Sequence, residues 1–140
     1  MAAALVGGCR HYRAAAPDGF AGFEKTDDYQ AVSPDGVVYR VREEPNEPKA
    51  DLAFWKEKLR NHMADAGYHV RSESDIKAGT GEPGYLLELT APVGAVDYLY
   101  LVGVFLKGDR IFIAEAAGDV LKLEARRAAI QNALDRMELK

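Results

Sequence analysis

The 140-residue sequence has few of the cysteine and histidine residues from which many catalytic and metal-binding sites are built. It has one cysteine, which excludes an internal disulfide and a zinc site built on cysteine ligands. Its three histidines are scattered, and no His-Glu-x-x-His pattern brings two of them together. The net charge of −4 argues against a broad basic surface for nucleic acid. No apolar run approaches the roughly 18 residues of a membrane-spanning helix.

The single cysteine, Cys9, ends a run of small and apolar residues that reads Leu-Val-Gly-Gly-Cys. This run resembles the lipobox of bacterial lipoproteins, in which the cysteine is acylated and becomes the mature N-terminus. The resemblance implies that residues 1–9 are the remnant of a lipoprotein signal and that Cys9 carries the lipid. Arg10 stands where lipoproteins kept in the inner membrane often carry Asp, which favours the periplasmic face of the outer membrane. The alternative interpretation is an ordinary N-terminus with an incidental cysteine.

Residues 10–23 show no periodic apolar face, and Pro17, Gly19 and Gly22 interrupt them. Such a composition is typical of a loop rather than of a helix or strand. We therefore predict a flexible tether over residues 10–23, which would hold a single α+β domain of residues 24–140 off the membrane. A hydrophobic fraction of 48% is sufficient for a core in one domain of this size.

The beginning of the predicted domain has the pattern of a hairpin followed by a helix. Ser-Pro-Asp-Gly at 33–36 is a strong turn sequence between two strand-like runs. After the turn, Tyr39 and Val41 alternate with Arg40 and Arg42, which predicts a strand with one apolar and one polar face. A helix is predicted at about 51–66, because its apolar residues recur at spacings of three and four.

Four further strands and a second helix are predicted after the first helix. The segment 68–76 is polar and irregular, which favours a weak or edge strand, whereas 85–90 alternates in polarity. Residues 97–106 are apolar at nearly every position, so both faces of that strand should be covered. A turn at 107–110 leads into a returning apolar strand, and 120–137 has the apolar spacing of a closing helix.

The predicted order is β-β-α-β-β-β-β-α. Hairpins imply antiparallel pairing, and doubly covered strands need a layer on each side, so we predict an α+β fold with an antiparallel sheet sandwiched between two helices. This layout, with Gly103 in the long central strand and Ala-Ala-Gly at 116–118 before the closing helix, resembles the PsbP-like fold. That family includes an extrinsic subunit of photosystem II and bacterial lipoproteins of uncharacterised function. The resemblance implies a non-catalytic domain that binds or steadies a partner, and it transfers no functional residue.

No arrangement of residues indicates a reaction centre or a cofactor. Residues 79–84 match Gly-x-Gly-x-x-Gly, but they lead into a strand instead of opening a helix, so we interpret them as a loop. No serine lies in a Gly-x-Ser-x-Gly elbow. Asp97 and Glu115 are the candidates for paired carboxylates, and we interpret both as solvated. We predict no catalytic residue, no cofactor and no metal site.

Two features predict contacts with a partner or ligand. Arg40 and Arg42 share one strand face and form a small basic strip that suits an acidic partner. Tyr98 and Tyr100 alternate on one face of the long strand, and Trp55 lies on the apolar side of the first helix. The three aromatic residues are candidates to line a pocket between helix and sheet. A solvent-facing strand and ordinary core packing are the alternative interpretations.

These observations favour a lipid-anchored accessory domain of the bacterial cell envelope, without catalytic activity, that supports a complex with an unknown envelope protein. The second hypothesis is a carrier of a small apolar ligand between a helix and the sheet, and the third is an enzyme with a non-standard site. A large enclosed apolar cavity would favour the second hypothesis. A cleft with several perturbed titratable groups would favour the third.

Overall fold

The structure is a computed structural model that describes residues 10–23, 28–93 and 96–140. Its helices are α1 (Leu52–Asp65) and α2 (Val120–Asp135). Its strands are β1 (Tyr12–Arg13), β2 (Ala21–Phe23), β3 (Tyr29–Val32), β4 (Val38–Pro45), β5 (His69–Lys77), β6 (Pro83–Val93), β7 (Val96–Lys107), β8 (Arg110–Asp119) and β9 (Glu138–Leu139).

Seven of the strands form one antiparallel sheet in the order β2-β3-β4-β8-β7-β6-β5. The hairpin of β3 and β4 joins the rest through the pairing of β4 with β8, in which Arg42 lies opposite Ile113. On its other side β8 pairs with β7, which places Ile113 opposite Val104. The helices lie on opposite faces of this sheet. The predicted α+β sandwich is therefore confirmed, with three short strands in addition to the predicted ones.

The sheet face under α2 carries the larger of two apolar cores. Asp119 caps the N-terminus of α2, because its carboxylate accepts hydrogen bonds from the backbone N–H groups of Leu121 and Lys122. Its apolar side chains then fall on one side of the helix and are buried against the sheet. The largest side chains with almost no exposure in this core are Val37, Tyr39, Val41, Leu99, Phe105, Phe112, Leu123, Ile130 and Met137.

The N-terminal segment forms part of the same core. Tyr12 is only 4% exposed, and its ring packs edge-on against Phe112. Its β1 pairs with β9, and Ala14, Ala16 and Phe20 pack against the core further along the segment. The prediction of a tether over residues 10–23 is therefore wrong for most of its length, and the folded domain begins well before residue 24. Apolar side chains without helical or strand periodicity still bury surface when an existing core is available.

Helix α1 lies on the opposite face and is less deeply packed. Asp51 caps its N-terminus by accepting a hydrogen bond from the N–H of Phe54 at 2.9 Å. Gly67, at φ +92°, directs the chain away after its last turn. The apolar stripe predicted from the sequence faces the sheet, yet no side chain of α1 is fully buried. The helix therefore rests on the sheet surface.

Candidate functional site

Half of the sheet face on the α1 side has no helix over it among the described residues. Helix α1 packs on β5, β6 and β7. A helix is about 10 Å wide and neighbouring strands lie about 4.8 Å apart, so one helix covers two or three strands. We call the uncovered part the open face, and its side chains are Phe23, Gln30, Val38, Arg40, Arg42, Tyr98, Tyr100, Glu115 and Ala117.

The opposite face of the same strands is packed against other parts of the chain. There, residues 12–20 and α2 cover β3, β4 and β8, and they bury Ala31, Tyr39 and Val41. On the open face, by contrast, Val38 is 44% exposed and Phe23 is 49% exposed. Apolar side chains that remain exposed on one side of an otherwise covered sheet are typical of an interaction surface.

The strand register arranges the open face in rows. Arg40 lies opposite Glu115, and in the next row Val38 lies opposite Ala117. Tyr100 continues that second row from β7, because it pairs with Ala117. A row of ion-paired side chains therefore runs beside a row of small and apolar ones. The structure brings Arg40, Arg42, Tyr98 and Tyr100 onto this one face, and it places Trp55 at its border.

The two arginines of the open face are held by carboxylates. Arg40 donates hydrogen bonds to Asp28, one of them from Nε at 3.1 Å, and this partner raises the pKa of the guanidinium. Arg42 forms ion pairs with Glu44 and, at 3.4 Å, with Glu115. The strip that the sequence presents as basic is thus charge-balanced. A partner would meet oriented ion pairs instead of a net positive surface.

The two tyrosines of β7 have different environments. Tyr100 is half-buried, its ring lies 5.8 Å from that of Tyr68, and its side chain lies near the carboxylate of Glu115. Burial raises the pKa of Tyr100, and the negative charge of Glu115 adds to the effect. Tyr98, which lies opposite Asp119 and therefore one row further along the strands, is 40% exposed. Tyr100 is therefore a fixed element of the open face, whereas Tyr98 is available for contact.

Trp55 lies at the boundary between α1 and the open face. Its side chain lines an apolar groove of about 200 Å³ that is open to solvent along one side. The groove lies between the helix and strands β7 and β8, and its other lining residues are Glu44, Lys58, Leu59, His62, Val104, Ile111 and Ile113. The volume is below the roughly 300–1,000 Å³ of most ligand pockets. The groove thus suits a single side chain or a short apolar chain.

A residue that the sequence analysis does not single out, Asn46, fixes the position of Trp55. Asn46 is 4% exposed, and its Oδ1 accepts a hydrogen bond from Trp55 Nε1 at 2.8 Å. The same amide group binds both backbone groups of Ala50, at 3.0 and 3.2 Å. Its backbone N–H donates to the carbonyl of Asp109. The only sign of this role in the sequence is that Asn46 stands shortly before a helix, and asparagine is common at ordinary turns in such places.

The other candidates from the sequence do not converge. Asp97 is adjacent to Tyr98 on β7, so its side chain lies on the opposite face of the sheet from Tyr98, whereas Glu115 is on the open face. The two carboxylates therefore do not form a pair. His11 binds Glu43 at 3.1 Å, and His62 lies at the rim of the apolar groove. In the part of the chain that the structure describes, no group of three or more His, Cys, Asp or Glu side chains is placed to hold a metal ion.

The predicted lipidation site, Cys9, lies outside the described residues, as does the rest of the predicted signal remnant. Neither α1 nor α2 has the length and apolar character needed to cross a bilayer.

Comparison with known proteins identifies the fold. No protein-family model matches the chain, and no curated protein is similar in sequence. Among solved structures, LpqN of Mycobacterium tuberculosis, involved in cell envelope biogenesis, has a TM-score of 0.70 at 12% identity, over 92% of this chain and 83% of that one. Cyanobacterial PsbP from Synechocystis has a TM-score of 0.63 at 13% identity, over 93% of this chain and 87% of that one.

A third similar structure is the protein of unknown function PA94 from Pseudomonas aeruginosa, with a TM-score of 0.64 at 10% identity. The match covers 83% of this chain and 94% of that protein. These identities are too low to transfer an activity or a binding residue, but they show the architecture. The chain has a PsbP-like fold, as the order of its elements predicted.

Proposed function

We propose that the chain is a non-catalytic binding domain of the bacterial cell envelope, anchored by a lipid on Cys9, that holds a partner protein on its open face. The observation that carries the proposal is the uncovered half of the sheet on the α1 side. On their other side the same strands bury Ala31, Tyr39 and Val41 in the larger core, so exposure is a feature of the open face and not of these strands in general. LpqN, which shares the fold, is described as involved in cell envelope biogenesis, and this supports the proposed location.

The chemistry of the open face fits a polypeptide better than a small molecule. A flat row of Val38, Ala117 and Tyr100 offers apolar area, and the neighbouring ion pairs of Arg40 and Arg42 offer oriented donors and acceptors. Protein interfaces commonly combine an apolar centre with a polar rim in this way. Tyr98, exposed and aromatic, is the side chain expected to contribute most to binding.

The apolar groove beside Trp55 supports a second candidate function, the carriage of a small apolar ligand. Its lining is mainly aliphatic and aromatic. However, it is small and open, whereas carrier sites usually enclose most of the ligand surface. We therefore place this function after protein binding.

Site-specific photo-crosslinking in cells of the source bacterium tests the proposed function. A photoreactive amino acid replaces Tyr98 in one variant and Ala128, exposed on α2, in the matched control. A defined envelope protein should crosslink through position 98 and not through 128, and the crosslink should weaken severalfold when Arg40→Glu is added. Feeding the same cells an alkyne fatty acid should label the protein, and Cys9→Ser should abolish the label.

Equal crosslinking from positions 98 and 128 would contradict the open face as the binding surface. An unlabelled wild-type protein would contradict the lipid anchor. Extraction of a bound lipid or other apolar molecule from the purified protein, lost in Trp55→Ala, would instead favour the carrier function.

A further inference from the structure

We propose that the outer edge of β5 accepts an extended segment of another protein, which adds to the sheet as a further antiparallel strand. We call this surface the open edge, and it consists of the main chain and side chains of residues 72–77. It lies at the end of the sheet opposite β2, so it is separate from the open face. The inference depends neither on the acylation of Cys9 nor on the partner of the open face.

The two ends of the sheet differ in the length of strand that they leave unpaired. At one end β2 has only three residues, and a short edge strand protects a sheet against unwanted pairing. At the other end β5 has nine residues and contains no proline. Its pairing with β6 skips Arg71, and from Ser72 to Lys77 the register is unbroken. Residues 72–77 therefore form a regular strand edge.

The main chain of the open edge has hydrogen-bonding groups to offer. In an antiparallel ladder, alternate residues bond to the neighbouring strand, and the residues between them direct their N–H and C=O groups outward. Among the described residues, no hydrogen bond outside the ladders involves the main chain of residues 69–77. Every residue of β5 except the partly buried Ile76 is exposed. A row of donors and acceptors with this spacing is matched by another strand.

The charged side chains of β5 are held by the two helices. On the α1 side, Glu73 binds Arg60 at 2.6 Å, and Asp75 lies 3.8 Å from Lys56. On the α2 side, Arg71 is bound by a glutamate of that helix. These contacts draw the side chains back over the sheet and order them before any partner binds. An added strand would therefore meet an edge that needs little rearrangement.

Asp75 and Lys77 indicate which side chains the added strand should carry. The Asp75 side chain is 91% exposed, and Lys56, its only ion-pair partner among the described residues, lies over the ring of Tyr85. Lys77 is exposed and has no ion pair within the described part of the chain. A basic side chain opposite Asp75 and an acidic one opposite Lys77 would form favourable cross-strand pairs. Because the added strand runs antiparallel, its order from the N-terminus is acidic, any residue, basic.

A second copy of the chain fits the open edge poorly. In a symmetric antiparallel pair centred on Ser74, Glu73 of each chain would lie opposite Asp75 of the other, and in a pair centred on Asp75 that carboxylate would lie opposite itself. Like charges directly opposite each other are destabilising. Centring the pair on Ile76 brings opposite charges together, but then only residues 75–77 of each β5 would pair. The charge pattern therefore favours a different protein as the source of the strand.

The test selects octapeptides from a randomised displayed library on the full-length protein, immobilised through its single cysteine. The strongest binders should shift the NMR amide signals of residues 72–77 and carry the acidic-x-basic order. N-methylation of two alternate peptide residues in one phase should weaken binding about 25-fold, since each lost main-chain hydrogen bond costs roughly fivefold, and in the other phase less than about threefold. Binders that map to another surface, equal losses for the two phases, or no binders at all would overturn the proposal.

An exchange of two charges on β5 tests the chemistry of the added strand at constant net charge. Wild type should prefer the acidic-x-basic peptide over its basic-x-acidic counterpart roughly fivefold, and Asp75→Lys with Lys77→Asp should reverse this preference. The matched control, Asp65→Lys with Lys58→Asp, exchanges exposed charges on α1 and should leave the preference as it is. A preference that survives the exchange on β5, or that the control also reverses, would overturn the assigned order.

Two further measurements decide the source of the strand. Sedimentation equilibrium should show a monomer, and a dimer with slowed amide exchange at residues 72–77 would identify a second copy as the occupant and overturn the assignment to another protein. In cells, a photoreactive amino acid in place of Ser74 should crosslink to another protein at a segment with the acidic-x-basic order. The charge exchange on β5 should weaken that crosslink severalfold. A missing crosslink, or one that the exchange leaves unchanged, would contradict the proposal.

Discussion

The hydroxyl of Tyr12 makes two hydrogen bonds inside the molecule, and both join the N-terminal segment to the sheet. Burial raises the pKa of this phenol, so it is neutral at physiological pH and can donate to Val41 while accepting from Tyr29. The ring packs against Phe112 at the same time. A single side chain thus serves as a hydrogen-bonded link and as a part of the core.

Replacing that hydroxyl tests how firmly the segment is held. Tyr12→Phe keeps the ring but leaves the Val41 carbonyl and the Tyr29 N–H without their side-chain partner. We expect the free energy of unfolding to fall by about 1–2 kcal/mol. Urea denaturation measures this change, with Tyr98→Phe, at an exposed tyrosine, expected to stay within about 0.5 kcal/mol of wild type. A Tyr12→Phe protein as stable as wild type would indicate that the segment contributes little.

Residues of this kind are difficult to predict from sequence. The positions of Tyr39 and Val41 follow from alternation, because periodicity reports which face of a strand is buried. Tyr12 and Asn46 stand in segments without periodicity, and their importance comes from partners distant in the chain. The sequence shows that each can form hydrogen bonds, but it does not show with which groups. Predicted contact residues such as Arg40 share this limitation, since Asp28 as its partner emerges only in three dimensions.

At the scale of elements, two strand glycines show how closely their neighbours pack around them. At Gly84, on β6, an added Cβ would lie 2.5 and 2.6 Å from ring carbons of Phe105 and 2.9 Å from the carbonyl oxygen of Val104. At Gly103, on β7, the nearest atom would be Ile76 Cδ1 at 3.4 Å, which is an ordinary contact. The glycine that appears most notable in the sequence, in the middle of the long strand, is therefore the more permissive of the two.

Alanine substitution should separate these two positions. Gly84→Ala forces the Phe105 ring or the β7 backbone to move, and we expect it to destabilise the protein by about 1–3 kcal/mol. Gly103→Ala has space, and it restricts the unfolded chain, so it should be neutral or stabilising by up to about 1 kcal/mol. Thermal and urea unfolding of the two variants give the comparison. Equal losses of stability would mean that the sheet tolerates no side chain at either site.

The helices show which of their properties are determined by nearby residues in the sequence. The bounds of α1 and α2 agree with the apolar spacing to within about two residues, since caps and periodicity are encoded nearby. How much of the sheet α1 covers is not local, because it depends on the number of strands beside it. The open face could therefore not be predicted from the pattern of any one strand. A solvent-facing strand and a binding strand have the same alternation.

At the scale of the whole molecule, a charged network ties α2 to the far strands of the sheet. Glu88 on β6 is only 8% exposed, and it is bound by Arg127 of α2. Arg127 also donates to Glu124 on its own helix, at 2.9 and 3.0 Å. Arg71 on the edge strand β5 reaches Glu124 at 3.1 Å and Glu88 at 3.8 Å. The network joins three elements across the sandwich.

The network predicts a dependence of stability on pH. The hydrogen bonds from Arg127 lower the pKa of Glu124 in the folded protein. A carboxyl group with a depressed folded pKa stabilises the fold above its unfolded pKa, near 4.5, and this contribution is lost as the pH falls through the folded value. Arg127→Gln should therefore cost about 1–2 kcal/mol at pH 7, a moderate figure because Arg127 is partly exposed. The cost should shrink below about pH 4.

Urea unfolding of wild type and Arg127→Gln between pH 3 and pH 7 measures this trend. Arg126→Gln is the neighbouring control, since Arg126 pairs with Asp35 at 3.3 Å on the surface and should contribute less than about 1 kcal/mol. A cost for Arg127→Gln that stays constant down to pH 3 would show that packing, and not charge, accounts for it.

The place of β8 in the sheet also has a consequence for how the chain folds. It is a central strand, yet it is the last strand of the seven-stranded sheet to be synthesised. The ion pair of Arg42 with Glu115, across the β4–β8 junction, joins positions 73 residues apart. Strand β4 pairs with β3 on one side, but its other side has no partner until β8 emerges, and contacts of such long range form slowly. A chain built in this order completes its sheet only when residues 110–119 have been synthesised, so folding of the whole domain waits for nearly the entire chain.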